Sequence, residues 1–250
     1  MTGGEPTLYP ELVELIHLLK KIGIPKVALT TNGYLLQKIS TELKQAGLDS
    51  MNISLDAMNP EVFSKMSRGR KFDKTLEGIY SVKENQIPFK LNSTIMKGYN
   101  DTEILPLLDF AGNLGVTVRF LELMKMGHLA GQTPEEIFTE KEILELIATK
   151  YDFLESPRKK ASTAKYWITK EGYKFGIIAN ESSPFCEDCN RLRLDSHGSV
   201  YGCLSSNLAF SIREAIHSEI PLEPILNQAL LTKQDYKFSG SSLGMMTIGG

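Results

Sequence analysis

The sequence has few cysteines, little net charge and no long apolar run, and each shortage excludes a class of protein. Its 250 residues include three cysteines, an odd count that argues against a secreted, disulfide-stapled scaffold. A formal net charge of −2 argues against a general nucleic-acid binder. No apolar run approaches the roughly 18 residues of a membrane span, and residues 1–6 lack the regions of a signal peptide. We therefore expect a cytoplasmic protein without nucleic-acid or membrane partners.

What is present is the composition of an ordinary globular protein. Hydrophobic residues make up 42% of the chain and charged residues 23%. A chain of this length can bury a substantial core, either as one large domain or as a medium domain with a smaller one.

Helical and strand patterns alternate through the first half of the chain. The periodicity predicts helices at 10–21, 35–46, 60–67, 73–85 and 102–114, and strands at 26–30, 51–55, 89–96 and 117–124. Strands separated by helices pair in parallel, and ligand sites of such α/β folds gather at the carboxyl ends of the strands. Polar or glycine residues follow each predicted strand at that end: Thr31-Asn32-Gly33, Asp56, Lys97-Gly98 and Gly127-His128.

The second half changes character towards β-structure. A helix is predicted at 139–150, where Thr139 and Glu142 have the spacing of a capping box. Strands are predicted at 166–169 and 173–179, and helices at 208–217 and 222–231. The change of pattern divides the chain into residues 1–131 and residues 132–250.

All three cysteines lie in one short window, at Cys186, Cys189 and Cys203. They can converge on one metal centre if 192–195 and 200–204 form a hairpin that turns at 197–198. Three thiolates alone suit a four-iron cluster with one open iron, whereas His197 as a fourth ligand would complete a structural zinc site. The window by itself slightly favours zinc, and ordinary buried free cysteines remain a third reading.

Several short motifs, in order along nearly the whole chain, resemble the radical S-adenosylmethionine (SAM) enzymes and, more narrowly, the GTP 3′,8-cyclase family. They are Thr2-Gly3-Gly4-Glu5-Pro6, Thr30-Thr31-Asn32-Gly33, Asn52-Ile53-Ser54-Leu55-Asp56, Lys90-Leu91-Asn92, Lys97-Gly98-Tyr99-Asn100-Asp101, Arg119-Phe120-Leu121-Glu122-Leu123-Met124, the cysteine window and Gly249-Gly250. The resemblance implies an α/β fold, a partial TIM-type (β/α) radical SAM barrel followed by a carboxy-terminal α+β cluster-binding region. It also shifts the expected metal strongly from zinc to an iron–sulfur cluster.

The reaction implied by the resemblance is the radical conversion of GTP to (8S)-3′,8-cyclo-7,8-dihydroguanosine 5′-triphosphate in molybdenum cofactor biosynthesis. SAM and two 4Fe-4S clusters are the cofactors of that family. An amino-terminal cluster cleaves SAM, and a carboxy-terminal cluster positions the purine. The implied partners are GTP, an electron donor and a downstream cyclic pyranopterin monophosphate synthase, and a homodimer is left open.

Site residues follow from the resemblance by matching the motifs. SAM contacts are implied for Gly4, Glu5, Ser54 and Met124. GTP contacts are implied for Thr31, Lys90, Arg191, Leu192 and Arg193. Cluster ligands are implied for Cys186, Cys189 and Cys203. On their own, most of these residues suit plainer roles, such as a solvated lysine or a methionine that fills the core. Arg191 and Arg193 stand out because side chains two apart on a strand share a face and can grip phosphate oxygens bidentately.

One departure from the family is large. Its amino-terminal Cys-x3-Cys-x2-Cys segment, which holds the cluster that cleaves SAM, has no counterpart among the three cysteines. We expect the chain alone to be unable to generate the radical, to lack the first strand of the barrel and to expose a sheet edge. The alternatives are a non-catalytic GTP-binding remnant, a zinc-stabilised interaction protein and, with less support, a radical SAM enzyme that acts on peptides.

Overall fold

Helices and strands alternate along the chain in a computed structural model that describes residues 1–127, 137–234 and 240–244. The helices in this part are α1 (Leu12–Lys21), α2 (Leu36–Gln45), α3 (Pro60–Met66), α4 (Phe72–Glu84), α5 (Ile104–Asn113), α6 (Glu140–Ala148), α7 (Arg213–His217) and α8 (Glu223–Leu231). Its strands are β1 (Ala28–Thr31), β2 (Ser50–Ser54), β3 (Phe89–Ile95), β4 (Thr117–Glu122), β5 (Phe153–Ser156), β6 (Lys165–Thr169), β7 (Lys174–Ile178), β8 (Arg193–Leu194), β9 (Ser199–Tyr201) and β10 (Phe210–Ser211).

The main sheet has seven strands in the order β1-β2-β3-β4-β7-β6-β5. Its first five strands are parallel neighbours, and β7, β6 and β5 pair antiparallel. The smaller sheet has the order β10-β9-β8 and is antiparallel. An α/β fold built on a parallel sheet, as the sequence predicts, is therefore confirmed.

Alternation along the parallel strands separates an apolar face from a polar one. Leu29, Ile53, Leu91 and Phe120 are fully buried and belong to one core cluster with side chains of the flanking helices. The residues between them are half-buried and mostly polar, such as Asn52, Lys90, Asn92 and Arg119. Because successive strand residues point to opposite faces, these polar side chains share the face away from that core.

The first residues of two helices show why these helices begin where they do. Asn59 accepts hydrogen bonds from the backbone nitrogens of Glu61 and Val62, and Pro60 occupies the first turn of α3. The predicted capping box is present at α6, where Thr139 and Glu142 each accept from the other's backbone nitrogen. Local side chains thus satisfy donors that a helix leaves unpaired.

The structure corrects the prediction at two places in the second half. Residues 210–211 do not begin a helix, because Phe210 and Ser211 pair with β9 and the helix starts at Arg213. Strand β5, at the edge of the sheet, was not predicted at all. The division between residues 131 and 132 stays a prediction, although the sheet continues across it through the pairing of β4 with β7.

The predicted open edge of the sheet lies beside β1, where the first residue of the chain is bound. The amino group of Met1 donates to the carbonyl oxygen of Ala28 at 2.5 Å, and the Thr30 nitrogen donates to the Met1 carbonyl at 2.9 Å. Across the described ranges, the helices are too short or too polar to cross a lipid bilayer.

Glu122, at the carboxyl end of β4, joins the parallel sheet to the second half of the chain. Its side chain is 1% exposed. The carboxylate accepts from the nitrogens of Glu140 (2.7 Å), Glu181 (3.0 Å) and Ser182 (3.0 Å), and from the Ser182 hydroxyl. It therefore holds both the start of α6 and the turn that leads towards the cysteines.

We expect Glu122→Gln to lower the free energy of unfolding by roughly 1–3 kcal/mol, because an amide cannot accept at both ends and leaves buried N–H groups unpaired. Urea denaturation measures the loss. The matched control is Glu145→Gln on α6, whose carboxylate is 64% exposed and whose loss should cost under about 0.5 kcal/mol. Equal effects of the two substitutions would contradict this role for Glu122.

Candidate functional site

The predicted hairpin between the second and third cysteines is present. Strands β8 and β9 pair with Arg193 opposite Tyr201 and Leu194 opposite Val200. Asp195 closes the turn by accepting from the nitrogens of His197 (2.9 Å) and Ser199 (2.8 Å). Gly198 has φ +82°, a conformation that side-chain-bearing residues rarely adopt.

The hairpin brings Cys186, Cys189 and Cys203 to the wall of one cavity of about 200 Å³. Among the other residues that line it, the two predicted arginines, Arg191 and Arg193, supply positive charge. Met124, which follows β4, lines the same cavity and packs against the cluster of Met126 and Tyr201. The cavity therefore joins the cysteine hairpin to the carboxyl end of the parallel sheet.

The surroundings of Cys186 and Cys189 shift the pKa values of these two thiols in opposite directions. Burial, reinforced by the neighbouring Cys203 and Cys189, raises the pKa of the Cys186 thiol. Burial also disfavours the Cys189 thiolate, but the Arg191 backbone N–H and the charges of Lys233 and Arg191 outweigh it and lower the pKa of Cys189. A thiolate is the form that binds metals, so the surroundings of Cys189 favour its role as a ligand.

Lys233 is a site residue that the sequence did not reveal. Its ammonium group donates to the carbonyls of Arg191 (2.5 Å) and Gly202 (3.0 Å), one on each arm of the hairpin. It also donates to the Cys189 sulfur at 3.6 Å. Lys233 follows α8, about thirty residues beyond the last cysteine, and no local pattern indicates this contact.

Both predicted arginines lie against the cysteines. Arg191 donates to the Cys189 sulfur (3.3 Å) and to the carbonyl of Ala161 (2.7 Å), and its guanidinium lies 5.8 Å from the Phe185 ring centre. Burial, together with the charge of Arg191, lowers the pKa of Arg193. Two half-buried guanidinium groups beside one cavity make a site that an anion would stabilise.

The donor set bears on the two metals left open by the sequence. A single zinc ion needs four ligands at about 2.0–2.3 Å from one point, and His197, the proposed fourth ligand, is exposed and does not line the cavity. Three thiols that line one cavity are the donor set of a four-iron cluster with one open iron. In the described ranges, no three His, Cys, Asp or Glu side chains are grouped closely enough to hold a metal ion, so the identity of the metal stays a prediction.

A network of hydrogen-bonded polar side chains covers the polar face of the sheet, away from the core. Arg119 donates to the side-chain oxygens of Asn52 (2.6 Å) and Asn92 (2.9 Å), and Asn52 donates to Thr30 (3.1 Å). These residues come from four adjacent strands. The alternation of polar and apolar residues along the strands could have indicated this face. The sequence did not, however, predict a role for Arg119.

Lys90, a predicted GTP contact, lies on the same face. Its ammonium group donates to the Tyr166 hydroxyl at 2.9 Å and sits 4.8 Å from the ring centre. Burial opposes ionisation of Tyr166, but Lys90 and Arg119 outweigh it and lower the pKa of the phenol. The sequence did not identify Tyr166 as a partner.

The glycine-rich amino-terminal loop combines an open glycine with an engaged carboxylate. A side chain added at Gly4 would meet nothing within 4 Å, so a ligand can approach the backbone there. Glu5 instead accepts from Thr7 nitrogen (3.1 Å) and hydroxyl (2.6 Å), from the Thr31 hydroxyl (2.6 Å) and from the Asn32 nitrogen (2.8 Å). Thr31 is 2% exposed and faces away from the polar network. Glu5 and Thr31 thus fix the loop, and their ligand contacts stay predictions.

The remaining predicted residues lie in less defined surroundings. Ser54 is half-buried at the carboxyl end of β2, on the polar face. Leu192 is half-buried and is not among the residues that line the cysteine cavity. Gly249 and Gly250, the predicted tail that enters the site, fall outside the described residues.

Asp56, just beyond β2, is a carboxylic acid whose surroundings in the folded protein change its pKa. Its carboxylate accepts from the Thr94 nitrogen at 2.9 Å. Burial raises the pKa of Asp56 to about 6, and the hydrogen bond from Thr94 and the charge of Arg70 offset this only in part. The folded protein therefore holds a proton on Asp56 under conditions where an unfolded chain does not.

We expect Asp56→Asn to stabilise the protein near neutral pH. The folded pKa of Asp56 lies above its unfolded value, so wild-type stability falls as pH rises from about 4 to about 6 and then levels off. A fully enclosed carboxyl would lose about 3 kcal/mol. Since water partly reaches Asp56, we expect about 1–2 kcal/mol at pH 7–8 and no difference below pH 4.

Urea unfolding of both proteins between pH 4 and 8 measures this difference. Glu171→Gln, at an exposed turn, serves as the control for loss of one negative charge. A stability difference that does not change across this pH range would contradict the assignment.

Comparison with known proteins identifies relatives of both halves. The model of the radical SAM superfamily matches residues 1–111, and the model named Molybdenum Cofactor Synthesis C matches residues 116–239. A GTP 3′,8-cyclase of Aquifex aeolicus is 40% identical over 221 residues, which are 88% of this chain and 69% of that protein. A GTP 3′,8-cyclase of Helicobacter pylori is 37% identical and covers 94% of this chain and 74% of its own length.

Solved structures resemble the fold more distantly. SuiB of Streptococcus suis bound to its precursor peptide SuiA superimposes with a TM-score of 0.59 at 16% identity, over 81% of this chain and 47% of that one. SuiB bound to S-adenosylmethionine gives a TM-score of 0.58 at 14% identity, over 85% of this chain and 51% of that one. At this identity the likeness concerns the fold alone.

Proposed function

The chain belongs to the GTP 3′,8-cyclase family of radical SAM proteins, and from that premise we propose that it binds GTP in the cysteine cavity for conversion to (8S)-3′,8-cyclo-7,8-dihydroguanosine 5′-triphosphate. Molybdenum cofactor biosynthesis is the process that its named relatives and the matched carboxy-terminal model support. The product would pass to a cyclic pyranopterin monophosphate synthase.

One observation carries the proposal: three thiols and two guanidinium groups line the same cavity. The thiols are ligands for iron, and the guanidinium groups are partners for phosphate. A nucleoside triphosphate presents both a purine that can bind a metal and a strongly anionic chain. A cavity of this chemistry therefore suits GTP better than an apolar or cationic substrate.

Cys186, Cys189 and Cys203 would hold the substrate-side 4Fe-4S cluster. With three thiolate ligands, such a cluster supplies one open iron at which a purine can be positioned. The lowered pKa of Cys189 favours its thiolate before any metal binds. Lys233 would keep the two arms of the hairpin together around the cluster through its bonds to Arg191 and Gly202.

Arg191 and Arg193 would bind the triphosphate. Their mutual repulsion and burial, which lower the pKa of Arg193, are relieved when an anion enters. Arg191, held by its bond to the Ala161 carbonyl, would direct its remaining N–H donors to phosphate in a charge-assisted bond. Leu192 between them would contribute through its backbone.

Lys90 would bind GTP from the polar face of the sheet. It donates to Tyr166, whose phenol is also influenced by Arg119. Positive charge from Lys90 and Arg119 on this face would add to that of Arg191 and Arg193 in attracting the anionic substrate. Thr31 would act indirectly, by fixing the loop at Gly33 through its hydroxyl.

The SAM contacts would come from the amino-terminal loop and from the carboxyl ends of β2 and β4. Gly4 offers an open backbone, and Glu5 carries the negative charge that suits an ammonium group. Ser54 and Met124 complete this set, and Met124 is the residue that also lines the cysteine cavity. Met124 would therefore stand between SAM and GTP.

The number of cysteines limits how many iron–sulfur clusters these residues can hold. Three cysteines account for one cluster, so cleavage of SAM needs thiolate ligands in addition to these three, as well as an electron donor. A second candidate function, a GTP-binding module without catalysis, is favoured by the same count. SAM cleavage is therefore assayed with a strong reductant after a polypeptide that carries the family's Cys-x3-Cys-x2-Cys ligands is supplied to the reconstituted protein. The enzyme then produces 5′-deoxyadenosine in a GTP-dependent reaction, whereas a binding module does not.

We expect Arg191→Ala to weaken GTP binding by roughly 1–3 kcal/mol, because one charge-assisted bond to phosphate is lost. Anaerobic calorimetry on cluster-reconstituted protein measures the affinity. Arg213→Ala, which removes an exposed arginine on α7, is the control for net charge and should leave the affinity within about twofold. Unchanged affinity in Arg191→Ala protein with full iron content would overturn this assignment.

A further inference from the structure

A charged residue inside the cysteine loop is bound to a distant segment of the chain. Asp188 lies between Cys186 and Cys189, and Arg158 donates to both its carboxylate oxygens, at 2.7 Å and 3.0 Å. The Ala161 nitrogen donates to the same carboxylate at 2.7 Å. A bidentate arginine supported by a backbone N–H fixes a carboxylate in direction as well as in distance.

The same segment is bound a second time from the hairpin. Arg191 donates to the carbonyl of Ala161 at 2.7 Å, and Arg158 donates to the carbonyl of Ser162, also at 2.7 Å. Ala161 has φ +60°, an uncommon conformation for an alanine that presents its N–H to Asp188 and its carbonyl to Arg191. Residues 158–162 thus bridge Asp188 and Arg191, one on each side of Cys189.

Stability alone does not explain this arrangement. The side chains of Arg158 and Asp188 are 30% and 23% exposed, and partly exposed ion pairs stabilise a fold little. Asp188, however, lies within three residues of the Cys189 thiol and the Arg191 guanidinium group, which both line the cavity. A contact with a small energetic effect can still set where such groups lie.

We propose that residues 158–162 are a positioning segment for the GTP site, anchored by the Arg158–Asp188 ion pair. The segment fixes the position of the Cys189 sulfur relative to the Arg191 guanidinium. The purine and the phosphate groups of GTP can then be bound at the same time. Arg158 and Asp188 touch neither group of the substrate; they act through Cys189 and Arg191. The inference rests on the proposed function, because it names residues that shape the same site.

A double-mutant cycle tests the anchor. Arg158→Ala, Asp188→Ala and the double variant are reconstituted anaerobically, and GTP affinity is measured by calorimetry. The EPR spectrum of the reduced cluster is recorded with and without GTP. We expect each single variant to weaken GTP binding about fivefold or more, and the double variant to be no weaker than the worse single one, because both remove one interaction.

A second ion pair provides the matched control. Lys170 and Asp152 pair at 2.6 Å with side chains 76% and 75% exposed, just beyond the ends of β6 and β5, and neither lines the cavity. Lys170→Ala should leave GTP affinity and the GTP-induced change in the EPR spectrum as in wild type. A merely structural role for Arg158 would lower the melting temperature without altering that spectral change.

Each outcome decides between the claims. Wild-type affinity in both single variants overturns the positioning role and leaves the proposed function standing. Wild-type protein that does not bind GTP overturns the proposed function and this inference with it. If Asp188→Ala loses iron, Arg158→Ala decides, since it changes nothing in the cysteine loop.

Discussion

The buried carboxylate of Glu122 is the interaction on which the two halves of this structure depend. A carboxylate that is 1% exposed must be offset by donors, and it finds them in the backbone at Glu140, Glu181 and Ser182. Those donors belong to α6 and to the segment that leads to Cys186. The parallel sheet therefore ends at the point from which the cysteine region is built, and Met124 follows two residues later.

The second constraint is electrostatic. Arg191, Arg193 and Lys233 concentrate positive charge beside three thiols, in a cavity that water reaches only partly. The chain accommodates this charge through carbonyl and sulfur acceptors, at Ala161, Gly202 and Cys189. Such an arrangement is least costly when thiolates or phosphate are present, which links this geometry to anionic ligands.

Much of this fold could be predicted from the sequence, because hydrophobic periodicity and the residue preferences of turns and helix caps depend on neighbouring residues. Alternating residues indicated β3 and β4, the Thr139 and Glu142 pair indicated the start of α6, and Gly198 indicated the turn of the cysteine hairpin. The four-residue β5 was missed because its central Leu154 and Glu155 are both exposed and give no alternation. Phe210 and Ser211 read as helix because their pairing with β9 is a tertiary contact.

The candidate site could be anticipated only where a motif pointed to it. Cys186, Cys189, Cys203, Arg191 and Arg193 line one cavity, and their roles as ligands stay predictions. Thr31, however, faces away from the polar network and holds Glu5, which a motif cannot show. Lys233, Tyr166 and Arg119 enter the site through contacts between distant parts of the chain, so no local pattern could identify their partners.

The most direct test of the account is the metal content of the cysteine cavity. Iron, acid-labile sulfide and zinc are measured per chain after anaerobic reconstitution of wild-type protein and of Cys186→Ala. A three-thiolate cluster in this cavity requires about four irons and four sulfides per chain in wild type, and their loss when the Cys186 thiol is removed. One zinc per chain that iron cannot replace would contradict it, because the cysteines would then serve a structural site rather than a substrate-binding cluster.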